Sequence, residues 1–214
     1  MIGIYGGTFN PVHYGHLRTA VEVKERLALQ HIRMLPCRLP AHRQQPEASP
    51  EMRLSMLELA ISATPGLQVD QRELQRPGPS YMVDTLQSLR TEFAETPLIL
   101  IIGSDAFAGL ESWHEWQRLF EYAHLVVVTR PGYMPQALPP VLQTRWIEDQ
   151  ALLAHQTAGH LLFLSVTLLD ISATQIRQLI ASGSSAQFLL PDAVLAYIQQ
   201  HQLFQQTPPL PSGY

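Results

Sequence analysis

Short apolar runs alternate with longer stretches of helical spacing along the chain. The runs Ile2–Tyr5, Ile32–Pro36, Leu67–Asp70, Leu98–Ile102, Leu125–Thr129 and Leu161–Val166 are nearly continuous in apolar residues. That pattern predicts strands covered on both faces. Between the first two, Leu17, Ala20, Val21, Leu27 and Ala28 form a helical stripe interrupted at Lys24. Met52–Ala63 and Met82–Phe93 predict further helices. Ile176, Leu179 and Ile180 mark a late one that stops near Gly183, a C-terminal cap. Pro191 opens a last helix running to about His201. The alternation predicts an α/β fold, a doubly wound and mainly parallel sheet with helices on both faces. A single domain is expected over residues 1–204, with “QQTPPLPSGY” (205–214) as a loose tail and longer connections at Pro131–Pro140 and Ala151–His160.

On such a sheet, ligands bind beyond the carboxyl ends of the strands, where strand order reverses. The unusual residue clusters of this chain all fall just after predicted strands.

Composition narrows the chemistry. Hydrophobic residues make up 46% of the 214 and charged residues 15%, which suits a folded globular protein. The formal net charge of -4 advertises no binding to long nucleic acid, while a local cluster of donors can still hold a small anion. One cysteine, Cys37, excludes an internal disulfide framework and a zinc-type cysteine cluster. No basic and apolar leader opens the chain, and no apolar run is long enough to span a bilayer, so no membrane role and a cytoplasmic location are expected.

The stretch “GGTFNPVHYGH” follows the first strand and enters the first helix. Gly6 and Gly7 let the backbone approach a ligand and expose N–H groups to phosphate oxygens. The helix N-terminus adds unpaired N–H groups and partial positive charge. His13 and His16, one turn apart with Gly15 between them, can donate to one phosphate chain. No lysine with Ser/Thr closes a P-loop pattern. Taken singly, each glycine or histidine reads as a turn or a solvated side chain; the whole string reads as an anion cradle.

The second stretch is “ISATQIRQLI”. Ser172 is a natural N-cap, Thr174 lies in the first turn, and Arg177 shares a face with Thr174 while Ile176, Leu179 and Ile180 pack inward. A hydroxyl, a helix start and an arginine at one place suit a polyphosphate. A surface charge beside an ordinary helix start is the plainer alternative for Arg177.

Together, “GGTFNPVHYGH” and “ISATQIR” resemble the signatures of the HxGH nucleotidyltransferase superfamily, whose fold is Rossmann-like. More narrowly, the chain is similar to the bacterial nicotinate mononucleotide adenylyltransferase (NadD) family from Met1 to about Phe204. “LPAHR”, “SYMVDTL”, “IIGSDAF”, “SWHEW” and “TRPGY” follow in the expected order. Two positions depart from the pattern. Asn10 stands where aspartate is common, and an amide can still make the local hydrogen bonds of a turn. Met82 stands where threonine is usual in the “YT” pair, and no ligand role is assigned to it.

The resemblance implies transfer of AMP from ATP to nicotinate mononucleotide, giving deamido-NAD and pyrophosphate. It implies that His13, His16, Thr174 and Arg177 hold the triphosphate, with Ser172 beside them and Gly6, Gly7, Thr8 and Phe9 lining the loop. His16 and Arg177, with His13, form the expected catalytic set. Gly103 and Asp105 would flank the adenosine, Asp105 accepting from ribose hydroxyls; the alternative is that Ser104 or Asp105 merely caps a helix. Arg43 would add charge near the transferred phosphate, and Trp113 would stack on the pyridine ring. Thr85, with backbone N–H groups, would hold the nicotinate carboxylate, and Arg130 would serve the mononucleotide side. Trp116 is read as core. Mg²⁺ is expected to bind mainly through ATP phosphates. Rival readings are a related transferase acting on nicotinamide mononucleotide or phosphopantetheine, and a nucleotide sensor without turnover. Oligomeric state, a homo-oligomer included, is open from sequence.

Overall fold

The computed structural model describes residues 1–40, 45–133 and 137–205. Its strands are β1 (Ile2–Gly7), β2 (His31–Pro36), β3 (Leu67–Val69), β4 (Leu98–Gly103), β5 (His124–Thr129) and β6 (Leu161–Ser165). They form one parallel sheet in the order β3-β2-β1-β4-β5-β6. The helices in chain order are α1 (Tyr14–Arg26), α2 (Pro50–Ile61), α3 (Arg72–Gln75), α4 (Met82–Glu92) and α5 (Ser104–Ala108). They continue with α6 (Leu119–Tyr122), α7 (Pro140–Gln143), α8 (Ala173–Ala181) and α9 (Asp192–Gln200).

Strand periodicity explains the two layers of core. Side chains alternate between sheet faces, so Ile99, Ile101, Val126, Val128, Leu162 and Leu164 pack on one side with α1, α2, α8 and α9. Ile2, Ile4, Leu98, Leu100, Leu125 and Val127 pack on the other with α4, α6 and α7. Both strand faces are buried, which is why the sequence shows continuous apolar runs rather than alternation. The expected doubly wound fold is therefore present.

Local chemistry sets the helix limits. Ser49 accepts a hydrogen bond from the Met52 amide at 3.3 Å and Pro50 occupies the first turn, so α2 starts two residues before the expected Met52. Ser172 caps α8 by accepting from the Gln175 amide at 3.1 Å. Strand β3 ends at Val69, one residue short of expectation, because the Asp70 carboxylate accepts from Arg33 at 2.8 Å and from the Arg72 amide at 3.1 Å. Phe204 is buried in the layer that holds α9; residues 206–214 of the expected tail lie outside the described part. Of the expected longer connections, the first ends in α7 and the second contains a 3-10 turn at Gln150–Ala154. Among the described residues, no helix is long and apolar enough to cross a membrane.

The sheet order reverses between β1 and β4. The connection after β1 runs to β2 on one side, and the connection after β4 runs to β5 on the other. A crevice opens where they diverge, beyond Gly7 and Gly103.

Candidate active site

Two cavities open at that crevice. The larger, ≈ 710 Å³, is lined by Tyr5, His13, His16, Asp105, Arg130 and Ser172 among others. The smaller, ≈ 380 Å³, lies on the α4 side, with Gly6, Gly7, Thr8, Tyr81, Asp105 and Trp113 among its walls. Tyr5, Gly103 and Asp105 border both, so the two read as halves of one cleft.

The histidines sit at the start of α1. His13 is its N-cap, and the His13 amide donates to His16 Nδ1 at 3.3 Å. An accepting Nδ1 leaves the ring proton of neutral His16 on Nε2, where it can be donated outward. The two rings lie 3.7 Å apart between centroids, so charging one disfavours charging the other. Burial pulls His13 down to about 4 and His16 well below its usual range, His13 adding repulsion to the latter. Both are neutral donors at pH 7 in the unliganded protein. His13 Nδ1 is buried, facing Gly15 rather than the cavity. Gly15 is required for this packing: a Cβ there would meet His13 Nδ1 at 2.9 Å.

The two signature stretches meet. Arg177 on α8 donates through Nη1 to the Asn10 carbonyl at 2.9 Å, a contact between residues 167 positions apart. Its Nε reaches Glu47 at 3.2 Å, with Glu47 exposed, and Nη2 approaches Thr174 Oγ1 at 3.5 Å. Ser172 and Gln175 line the larger cavity, whereas Thr174 and Arg177, on the same helix, are not among its lining residues.

Other expectations fall into place unevenly. Gly103 has nothing within 4 Å of an added Cβ, so its surroundings are open to a ligand. Neither Ser104 nor Asp105 caps α5, whose N-cap Gly103 receives no side-chain bond; Asp105 is exposed at the junction of the cavities. Trp113 lines the smaller cavity, while Trp116 only packs against the core below it. Arg43 lies outside the described residues.

Three placements differ from the sequence-based assignments. Phe9 does not line the loop: its φ of +48° turns the chain so that the ring enters the core, 1% exposed, and packs 5.1 Å from the His16 ring. A Cβ on Gly7 would meet that ring at 2.9 Å, which is why glycine stands there. Thr85 is fully buried one turn inside α4, beneath the cavity wall. Its hydroxyl is occupied, donating to Glu73 Oε1 at 2.8 Å and accepting from Arg76 at 3.0 Å. Tyr81 and Met82 stand at the wall instead, Met82 Cε 2.7 Å from where a Gly6 Cβ would be. Arg130 follows β5 in step with Val126 and Val128, so it joins the histidine side of the cleft and pairs with Asp170 at 3.3 Å.

Sequence reasoning missed several wall residues. Tyr5 is the strand residue shared by both cavities, and burial pushes its phenol up to about 12. His114 stacks on Tyr81 at 4.4 Å and lines the smaller cavity, as does the half-buried Cys37. Glu73 also borders it, its carboxyl raised by burial. A strand aromatic at the carboxyl edge was the available signal for Tyr5; Glu73 gave none.

Comparisons with known proteins agree with this fold. The cytidylyltransferase-like family profile matches residues 4–179. A Methylococcus capsulatus protein named “Probable nicotinate-nucleotide adenylyltransferase” is 52% identical over 208 residues, covering 95% of this chain and 99% of its own. A Cellvibrio japonicus protein of the same name is 49% identical, covering 95% and 98%. The structure of Plasmodium falciparum nicotinic acid mononucleotide adenylyltransferase complexed with NaAD superposes with a TM-score of 0.71 at 16% identity. That alignment covers 95% of this chain and 96% of the other, and it supports the fold. By its match over nearly full length to these relatives, the chain belongs to the nicotinate-nucleotide adenylyltransferase family.

Proposed function

We infer that this chain joins nicotinate mononucleotide to the AMP part of ATP, releasing pyrophosphate and forming deamido-NAD. The observation that carries this is the Arg177–Asn10 contact, which brings the two phosphate-binding signatures to one edge of the crevice. Family membership supplies the reaction; the cleft supplies places for its two substrates.

The attacking group is a phosphate oxygen of the mononucleotide, already anionic near neutral pH, so no strong general base is required. It displaces pyrophosphate at the α-phosphorus of ATP: one P–O bond forms and one breaks. The protein's work is alignment and stabilisation of charge on the leaving group. We assign the triphosphate to the histidine side, with Nε2–H of His16, the His13 imidazole, the amides that open α8 and the Arg177 guanidinium as donors. Gly6, Gly7 and Thr8 border the path between the cavities. The pyridine ring goes to the smaller cavity against Trp113, and its carboxylate to the first-turn amides of α4, Met82 to Asp84, which lack helical acceptors. This replaces the Thr85 hydroxyl in that role. Asp105 takes a ribose hydroxyl.

Mg²⁺ brought with ATP would be held mainly by its phosphates and water and would neutralise charge on the leaving pyrophosphate. Among the described residues no group of three metal-ligating side chains is assembled, and Asp105 is the exposed carboxylate at the cavity junction. We place the reaction in the cytoplasm, where ATP is at hand.

The test is pyrophosphate release with ATP and Mg²⁺ in the presence of nicotinate mononucleotide, nicotinamide mononucleotide or phosphopantetheine. Release at least about tenfold faster in kcat/KM with the first is expected, since a site built to pair a carboxylate loses that pairing with an amide. Preference for phosphopantetheine would overturn the pyridine pocket. ATP binding without release for any acceptor would identify a sensor.

A further inference from the structure

Arg53 is fully buried, yet it sits on α2 in step with Met56 and Leu57, whose side chains are core. An arginine in that position has to find partners for a charge and five donors. It finds three backbone carbonyls from three segments. Nη1 donates to Thr8 at 2.8 Å, Nη2 to Arg38 at 3.2 Å, and Nε to Ala48 at 3.3 Å. Among the described residues, no carboxylate stands within ion-pair distance of it. The neighbouring Glu51 is exposed and hydrogen-bonded to Ser49 at 2.7 Å.

These carbonyls are not equivalent. Thr8 belongs to the glycine loop after β1. Arg38 belongs to the segment after β2, which borders the smaller cavity through Cys37 and Pro40. That segment is tied in turn to the entry of α4: the Arg38 amide donates to Ser80 Oγ at 3.0 Å, and the Ser80 amide donates to the Leu39 carbonyl at 3.0 Å. A hydrogen-bonded path thus runs from the loop at the crevice, through one guanidinium, to the wall assigned to the pyridine ring. The fixed fork of an arginine can hold two carbonyls at a set spacing, which an ammonium cannot reproduce.

We propose that Arg53 is a positioning residue for AMP transfer, holding the glycine loop and the wall of the mononucleotide cavity in the spacing that aligns the two substrates. This rests on the adenylyl-transfer reading of the cleft.

Arg90 provides an internal control. It too donates to backbone carbonyls, those of Phe93, Ala94, Thr96, Tyr122 and Thr157. These lie at the amino-terminal edge of the sheet, opposite the crevice. Arg90 is therefore structural in the same chemical sense without touching the site.

The experiment compares the wild-type protein with Arg53→Lys, Arg53→Met and Arg90→Lys. It measures Tm with and without a non-hydrolysable ATP analogue, and kcat and KM for both substrates. Arg53→Lys keeps the charge and loses the fork. It is expected to retain the analogue-induced rise in Tm while kcat falls about tenfold or more, given that about 1 Å of misplacement costs ~10²-fold. Arg53→Met, which removes both fork and charge, is expected to lower kcat at least as far. Arg90→Lys is expected to lower Tm and leave the kcat of the folded protein unchanged. If one Arg53 variant does not fold, the other decides the positioning claim. Wild-type kcat and KM in a folded Arg53 variant would overturn it. If wild-type protein shows the Tm rise but no turnover, the adenylyl-transfer reading has failed and the positioning claim falls with it.

Discussion

Replacing His16 by alanine is expected to lower kcat by more than ~10²-fold in a protein that remains folded, the loss seen when one preorganised donor is removed from a developing oxyanion. The histidine is suited to that role by its neighbours. Its Nδ1 is engaged by the His13 amide at 3.3 Å, which fixes the ring and turns the remaining N–H toward the cavity. Phe9 packs at 5.1 Å behind it. Burial keeps it neutral, so it offers a dipole rather than a charge, and that dipole needs no reorganisation as pyrophosphate leaves. Because the gain is larger in the transition state than in the bound ground state, kcat should fall more than KM for ATP rises. The fold should survive: losing one acceptor for the His13 amide costs about 1 kcal/mol. Steady-state kinetics with a melting curve on the same sample check both points. Unchanged turnover in folded His16→Ala would remove His16 from the catalytic set.

Arg177→Ala is the second large effect expected. It removes a delocalised charge at the edge of the triphosphate side, together with the bond at 2.9 Å that ties α8 to the Asn10 carbonyl. Both the charge and the closure of the cradle are lost, so kcat/KM for ATP should drop by about 10²- to 10³-fold, with kcat and KM both affected. Arg177→Lys should recover part of KM and little of kcat, since an ammonium keeps the charge without the fork. The exposed pair with Glu47 contributes little, so Glu47→Gln serves as the neutral control. Arg177→Ala with kcat/KM within about threefold of wild type would contradict the assignment.

How much of the architecture the sequence discloses depends on the element. All six strands are legible because a parallel strand buried on both faces must be apolar at nearly every position, as in Leu98–Ile102. Boundaries are less so. Ser49 and Pro50 carry the start signal of α2, but the apolar spacing begins only at Met52. Pro191 is the N-cap of α9 rather than its first turn. The short helices α3, α5, α6 and α7 have four or five residues each, too few to show a period.

The site divides the same way. The helix starts that carry His13, His16 and Ser172 are legible because helix-start chemistry is local, and the two histidines lie one turn apart. Thr85 misleads because a hydroxyl in a ligand-rich motif looks available. Only the packing shows it turned inward to Glu73. Phe9 misleads for a related reason: its left-handed φ sends the ring away from the loop that contains it. Arg53 is hidden altogether, since an arginine three and four residues before core positions looks like an ordinary polar residue until three carbonyls are found around it. Side chains that act from behind a site leave a helical pattern, not a motif.

On this reading the crevice between β1 and β4 holds the two halves of one dinucleotide, the adenylyl half on the histidine side, where pyrophosphate departs, and the pyridine on the α4 side. The most direct measurement is a crystal structure of the protein with deamido-NAD. The expected result has the pyridine ring against Trp113, its carboxylate within hydrogen-bond distance of the first-turn amides of α4, and the adenylyl half beside Asp105. A pyridine ring bound instead among His13, His16 and Arg130 would contradict the assignment of both cavities.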